Sequence, residues 1–146
     1  MDRAKWVKPI YNEYGITQWG WRVNHRENLK MSDDVWIGSF TVIDATDGVE
    51  IEDDVIIGYG CVITSISRIE KKHGKVTLKK GCKIGAQAII VPGVTVGENA
   101  IVGGSSYVNT DIPKGEVWYG TPAKFASDVA DIGTEHTMYE NPPIPF

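Results

Sequence analysis

No stretch of this sequence approaches the roughly 18 consecutive apolar residues that a membrane-crossing helix needs. The opening MDRAKWVKPIYNEYG also lacks the apolar run of a secretory leader, so a cytoplasmic protein without a membrane span is the expectation. Positive charge is in short supply: 15 basic residues stand against 19 acidic ones, a net charge of −4, and no basic stripe interleaves with aromatics. Nucleic acid is therefore not an expected partner. Cysteine is limited to Cys61 and Cys82, and both fall on small inward positions of the pattern described next, where they read as buried thiols rather than a disulfide or metal pair. Histidine occurs three times, at His25, His73 and His136.

What the chain has instead is a period of six. From Leu78 to Pro113 it runs LKKGCK IGAQAI IVPGVT VGENAI VGGSSY VNTDIP, with aliphatic residues at Leu78, Ile84, Ile90, Val96, Val102 and Val108 and a second series at Cys82, Ala88, Val94, Ala100, Ser106 and Ile112. Neither an α-helix nor a flat strand has that period; a six-residue repeat belongs to a parallel β-helix. Each hexad supplies one short strand and one corner, and Gly81, Gly93 and Asn99 stand where a sharp corner wants φ > 0. The same frame runs upstream through Met31, Ile37 and Ile43, slips by two residues near Asp47 and Gly48, and resumes at Ile51, Ile57 and Ile63. Between Ile63 and Leu78 lie nine residues more than one hexad allows; the charged run RIEKKHGK must loop out of the core, over about 66–76.

These hexads resemble the [LIV]-G-x-x-[STAV]-x repeats of the left-handed parallel β-helix acyltransferases, and DIPKGEVWYGTPAK from Asp111 to Lys124 resembles their closing segment. The resemblance implies an all-β, left-handed parallel β-helix. Twelve hexads at three per turn imply about four coils. The 146 residues read as one domain: 1–30 an N-terminal cap segment rich in Trp6, Trp19 and Trp21, 31–113 the β-helix, and 114–146 a closing segment and tail with a short helical turn near Ala126 to Ala130. It further implies a homotrimer, an acetyl-CoA co-substrate without a metal, a sugar or nucleotide-sugar class of small acceptor, and a loop that overhangs an active site shared between subunits.

Acyl transfer needs a base for the attacking hydroxyl or amine and donors for the oxyanion. The family's histidine stands at the start of the protruding loop, where this chain has Ile66. His73, on the same loop and beside Gly74, is the first substitute; His25 in NHRENL is the second, and His136 is read as surface. Asp44 is a candidate to orient a histidine or bind acceptor, although corner-forming is the commoner role for Asp there. For the cofactor, the resemblance places the pantetheine arm against the residue after the repeat glycine, here Ala86 and Gly104, with Asn109 and Thr110 toward the adenine and Lys124 toward the phosphates. A non-catalytic binding or assembly module is the alternative, and the residue at 66 favours it. A zinc enzyme on the same fold is disfavoured because the three histidines do not recur at repeat spacing.

Overall fold

The computed structural model describes residues 7–132. Among them no helix is long and apolar enough to cross a membrane. The hexads stack into three parallel walls of a left-handed β-helix. The first wall carries β1 (Arg22–Asn24), β4 (Val42–Asp44), β7 (Val62–Thr64), β12 (Ile89–Ile90) and β15 (Tyr107–Val108). The second carries β2 (Leu29–Met31), β5 (Val49–Ile51), β10 (Val76–Leu78) and β13 (Thr95–Val96), to which Ile112 adds a single bridge at Val96. The third carries β3 (Trp36–Ile37), β6 (Ile56–Ile57), β11 (Lys83–Ile84), β14 (Ile101–Val102) and β16 (Glu116–Gly120).

Register follows the sequence period. Met31, Ile51, Leu78 and Val96 pair in one column, and Ile37, Ile57, Ile84 and Val102 in another. Residues of both inward series from Leu78 onward are buried, as are Cys61 and Cys82. Each fully buried Ile of this axis contributes about 2 kcal/mol by removal of its surface from water.

The helix has five turns rather than four. The first turn starts inside the segment read as cap, because Arg22–Asn24 pairs with Val42–Asp44, and Leu29–Met31 with Val49–Ile51. Its hexad period is hidden by a 3-10 turn at Arg26–Asn28. The fifth turn uses Val108, Ile112 and Trp118, whose spacings of four and six break the frame at Pro113. The helical turn expected near Ala126 to Ala130 is also corrected: β17 (Ala123–Asp128) pairs antiparallel with β16, and only Val129–Asp131 forms a 3-10 turn. Strand geometry holds through Asp128 because the ladder on β16 supplies backbone partners that a helix would forfeit.

Corners between the second and third walls have positive φ at Asp54, Gly81, Asn99 and Gly115, and those between the third and first at Phe40, Gly60, Gln87 and Ser105. The glycines at 38, 58, 85 and 103 serve a different end. None has positive φ, yet a Cβ on any of the first three would lie 2.5–2.7 Å from a backbone nitrogen of the next coil, and one on Gly103 2.6 Å from the Tyr119 Cβ. At the lower end, antiparallel bridges Tyr11–Thr17 and Ile16–Arg22 fold residues 11–22 beneath the first coil; Trp21 is buried there, edge-on to Tyr11 with ring centroids 5.9 Å apart. Trp19 packs at the margin of the same core, while Trp6, His136 and the tail from 133 lie outside the described residues.

Burial pushes the Cys61 thiol up and the Cys82 thiol up to about 12, since a thiolate in the apolar axis would lose its hydration. Both cysteines are therefore expected to resist iodoacetamide at pH 8 in the folded protein and to react in denaturant. Mass spectrometry of the labelled chain checks this, and rapid native labelling of Cys82 would contradict the packing described.

Candidate active site

The excess residues between β7 and β10 leave the prism at the corner joining the first and second walls. They fold back as a hairpin of β8 (Ile66–Ser67) and β9 (Lys72–His73), in which Ile66 pairs directly with His73. Paired residues of an antiparallel ladder present their side chains on one face about 5 Å apart. The imidazole is thus supplied from across the ladder to the place where Ile66 stands.

His73 Nδ1 lies 3.0 Å from Asp47 Oδ2. Asp47 belongs to the two-residue expansion between β4 and β5, and its N–H donates to Ser65 Oγ at 2.8 Å. The Ser65 hydroxyl and N–H both donate to the Asp44 carbonyl, and the Gly74 N–H donates to the Ser65 carbonyl. A buried serine therefore ties the bulge of the second coil to both feet of the hairpin. When Nδ1–H is the donor to Asp47, Nε2 keeps its lone pair and points away from the carboxylate, the arrangement a general base requires. At the other end of the hairpin, Tyr107 O–H donates to Glu70 at 3.2 Å, which draws the tip over the first wall. Desolvation, followed by the Glu70 charge, raises the Tyr107 phenol.

His25 occupies a different place, at the foot of the first coil, in the left-handed region at φ 57°. Its Nδ1 contacts Glu27 at 3.1 Å, and the Glu27 carboxyl is held below its ordinary value by its own backbone N–H first and by His25 second. The structure does not bring His25 and His73 together on one carboxylate. Asp44 takes up the corner role: its Oδ1 accepts from Thr46 N–H at 3.0 Å and from Thr46 Oγ1 at 2.5 Å. Burial raises the Asp44 carboxyl, but these bonds and one from Asn24 outweigh it and hold it below the usual range.

Ala86 and Gly104 are exposed on successive coils at the corner between the third and first walls, joined by the Ser105 N–H donating to the Ala86 carbonyl at 2.8 Å. Their column continues downward as Tyr59 and Ser39, so the small residues form a notch two coils high above a tyrosine that is 46% exposed. The closing segment shuts the upper side. Gly120 N–H donates to Ser106 Oγ at 3.1 Å, Thr121 Oγ1 donates to the Ser105 carbonyl at 3.4 Å, and Lys124 pairs with Tyr119, which overlies Gly103. Ala86, Gly104 and Lys124 thus share one corner. Asn109 and Thr110 are exposed at the far end of β15, on the corner from which the hairpin leaves. The strands of the first wall run from the notch to the His73 corner, so one chain holds the two halves at opposite ends of a wall.

Sequence reasoning singled out His73 as a candidate but not Asp47, 26 residues away, nor the Glu70–Tyr107 contact, 37 residues apart. The residue expansion at Asp47 was the available signal, since the two insertions fall after first-wall strands on neighbouring coils and must share a corner.

Residues 75–110 match the bacterial transferase hexapeptide family (six repeats), and residues 33–65 match the hexapeptide repeat of succinyl-transferase. Both segments are thus hexapeptide repeats by likeness to these families. It is 40% identical over 93 residues to the UDP-3-O-acylglucosamine N-acyltransferase of Methylorubrum extorquens (strain PA1), covering 64% of this chain and 25% of that protein. The chain thus spans about a quarter of the length of that curated relative. Among solved structures, a hexapeptide-repeat acetyltransferase of Vibrio cholerae O1 biovar eltor complexed with acetyl-CoA superposes with a TM-score of 0.68 at 20% identity, covering 76% of this chain and 66% of that one. An N-acyltransferase from Bacillus cereus, complexed with dTDP-4-amino-4,6-dideoxyglucose and CoA, gives 0.64 at 20% identity, covering 86% and 84%. At such identities these likenesses establish the fold.

Proposed function

We propose that this protein is a CoA-dependent acyltransferase that moves an acetyl group from acetyl-CoA to a hydroxyl or amine of a sugar or nucleotide-sugar acceptor, acting as a cytoplasmic homotrimer. The carrying observation is the His73–Asp47 couple, 3.0 Å apart, on a hairpin projecting from the prism. An imidazole oriented through Nδ1 by a carboxylate has Nε2 available to take a proton. The Ala86–Gly104 notch with Lys124 at its closed end suits a thin pantetheine arm followed by phosphates.

In this reading Nε2 of His73 accepts the proton of the acceptor O–H or N–H as that atom attacks the thioester carbonyl. The tetrahedral intermediate collapses with cleavage of the C–S bond, and the imidazolium returns the proton to the departing CoA sulfur. Asp47 stabilises the imidazolium and keeps the ring aligned. Since the notch and the imidazole sit at opposite ends of one wall, a complete site takes the notch of one copy and the hairpin of the next, and three copies close the ring.

Two variants test both parts. Ala86→Trp is expected to weaken CoA binding at least tenfold by calorimetry, because the indole fills the notch. His73→Ala is expected to bind CoA as the native protein does. Refolded together in equal amounts, the two inactive chains are expected to recover about a quarter of native activity, the share of sites that draw hairpin and notch from the two intact sources. No recovery from mixed trimers would overturn the shared site, and undetectable CoA binding by the native protein would overturn the transferase reading in favour of an assembly module.

A further inference from the structure

Beneath the hairpin lies a second concavity of about 390 Å³, walled by the cap segment, β1, the end of β4 and the hairpin itself. It is polar, and two arginines line it from separate elements: Arg22 from β1 and Arg68 from the hairpin. Among the described residues neither guanidinium is ion-paired with a carboxylate. Asp44 is in the same basin, but its Oδ1 accepts two bonds from Thr46 and the carboxylate takes another from Asn24, so it is already engaged. Glu13 and His25 also line it, His25 engaged with Glu27, and Tyr14, 64% exposed, stands beside them.

Two arginines lining one basin favour an anion between them. Their planar forks match the paired oxygens of a phosphate better than any point charge does. The volume falls within the range of sites for small molecules of nucleotide size, and an exposed tyrosine ring beside the cations offers a face for a base or sugar. The basin also adjoins the chemistry: Thr46 lines it, and the next residue, Asp47, holds His73.

We infer that the Arg22–Arg68 basin anchors the phosphate groups of the acceptor, and that the acceptor is a sugar carried on a nucleoside diphosphate. This rests on the transferase reading for the word acceptor, while the anion site stands on the basin alone. The diphosphate bridges the two guanidiniums, and the sugar extends past Thr46 toward Nε2 of His73. A phosphate-free sugar has nothing there to hold it.

Calorimetric titration of the full chain with inorganic pyrophosphate, dTDP and free galactosamine tests the assignment, with CoA titrated in parallel. dTDP is expected to bind below millimolar, pyrophosphate more weakly, and galactosamine not measurably. Arg22→Gln and Arg68→Gln are each expected to weaken dTDP about tenfold, as loss of a charge-assisted pair implies, with the melting temperature and CoA affinity unchanged. Arg68→Lys, which keeps the charge but loses the fork, is expected to fall between. Native dTDP affinity in both glutamine variants, or no dTDP binding by a protein that binds CoA, would overturn the basin. Arginine-dependent dTDP binding by a protein that fails to bind CoA would instead leave the anion site standing and remove the transferase reading.

Discussion

Gly85→Val is expected to leave the chain unable to form its stacked coils, with loss of the cooperative thermal transition. A Cβ on Gly85 would lie 2.5 Å from Gly104 N, 2.8 Å from Gly103 C and 2.9 Å from Gly104 Cα. All three are backbone atoms of the next coil, locked in its own parallel ladder, so none can yield as a side-chain tip would. Relief requires separating two coils, which breaks the bonds from Gly85 N–H to Val102 O and from Ser105 N–H to Ala86 O. The expected cost for valine is at least about 4 kcal/mol, in the exceptional range for one substitution and a large part of a domain's stability. Gly93→Ala is the informative control. Nothing lies within 4 Å of a Cβ there, so its penalty comes only from φ +85° and should stay near about 1–2 kcal/mol. Equal melting temperatures for the two variants would show that the coils are not in the contact described.

His73→Ala is expected to lower kcat by about a hundredfold to ten-thousandfold, the usual contribution of a positioned general base, with little change in CoA affinity. Asp47→Ala, which removes the ring's anchor but not the ring, should also lower kcat, by less than His73→Ala does. Steady-state rates and CoA affinities of the three proteins separate these outcomes. An unchanged rate in His73→Ala would remove the hairpin from the chemistry and leave His25 or solvent as the proton acceptor.

The inward columns were legible because a prism with three flat walls imposes its own period on the chain, and a Leu or Ile at every sixth place has no other use. Three corners were equally plain, at Gly81, Gly93 and Asn99, but Phe40, Gln87 and Ser105 hold positive φ without announcing it. They do so because the ladders on either side fix the chain path more strongly than the residue's own preference. The first turn escaped notice since Arg22–Asn24 and Leu29–Met31 are separated by a 3-10 turn that destroys the spacing. The stacking itself left a signal: an aliphatic residue followed by glycine recurs at 37, 57, 84 and 102 on the third wall and at 96 on the second, where the glycine admits the coil above. Asp47, Arg22 and Arg68 could not be matched to partners from the sequence. Contacts between coils join residues about twenty or more apart, and no local spacing encodes which charged groups meet.

The antiparallel pairing at both extremities has a consequence for how this chain behaves in concentrated solution. Stacked parallel strands with open tops and bottoms are templates onto which further copies can add without limit, the geometry of a fibre. Here β17 runs against β16 at the upper edge of the third wall, and the residue 11–22 turn runs against β1 at the lower edge of the first. A newcomer adding in the direction of the walls finds a rung of the wrong polarity at each of those edges, so the architecture that most resembles a filament is blocked there from seeding one.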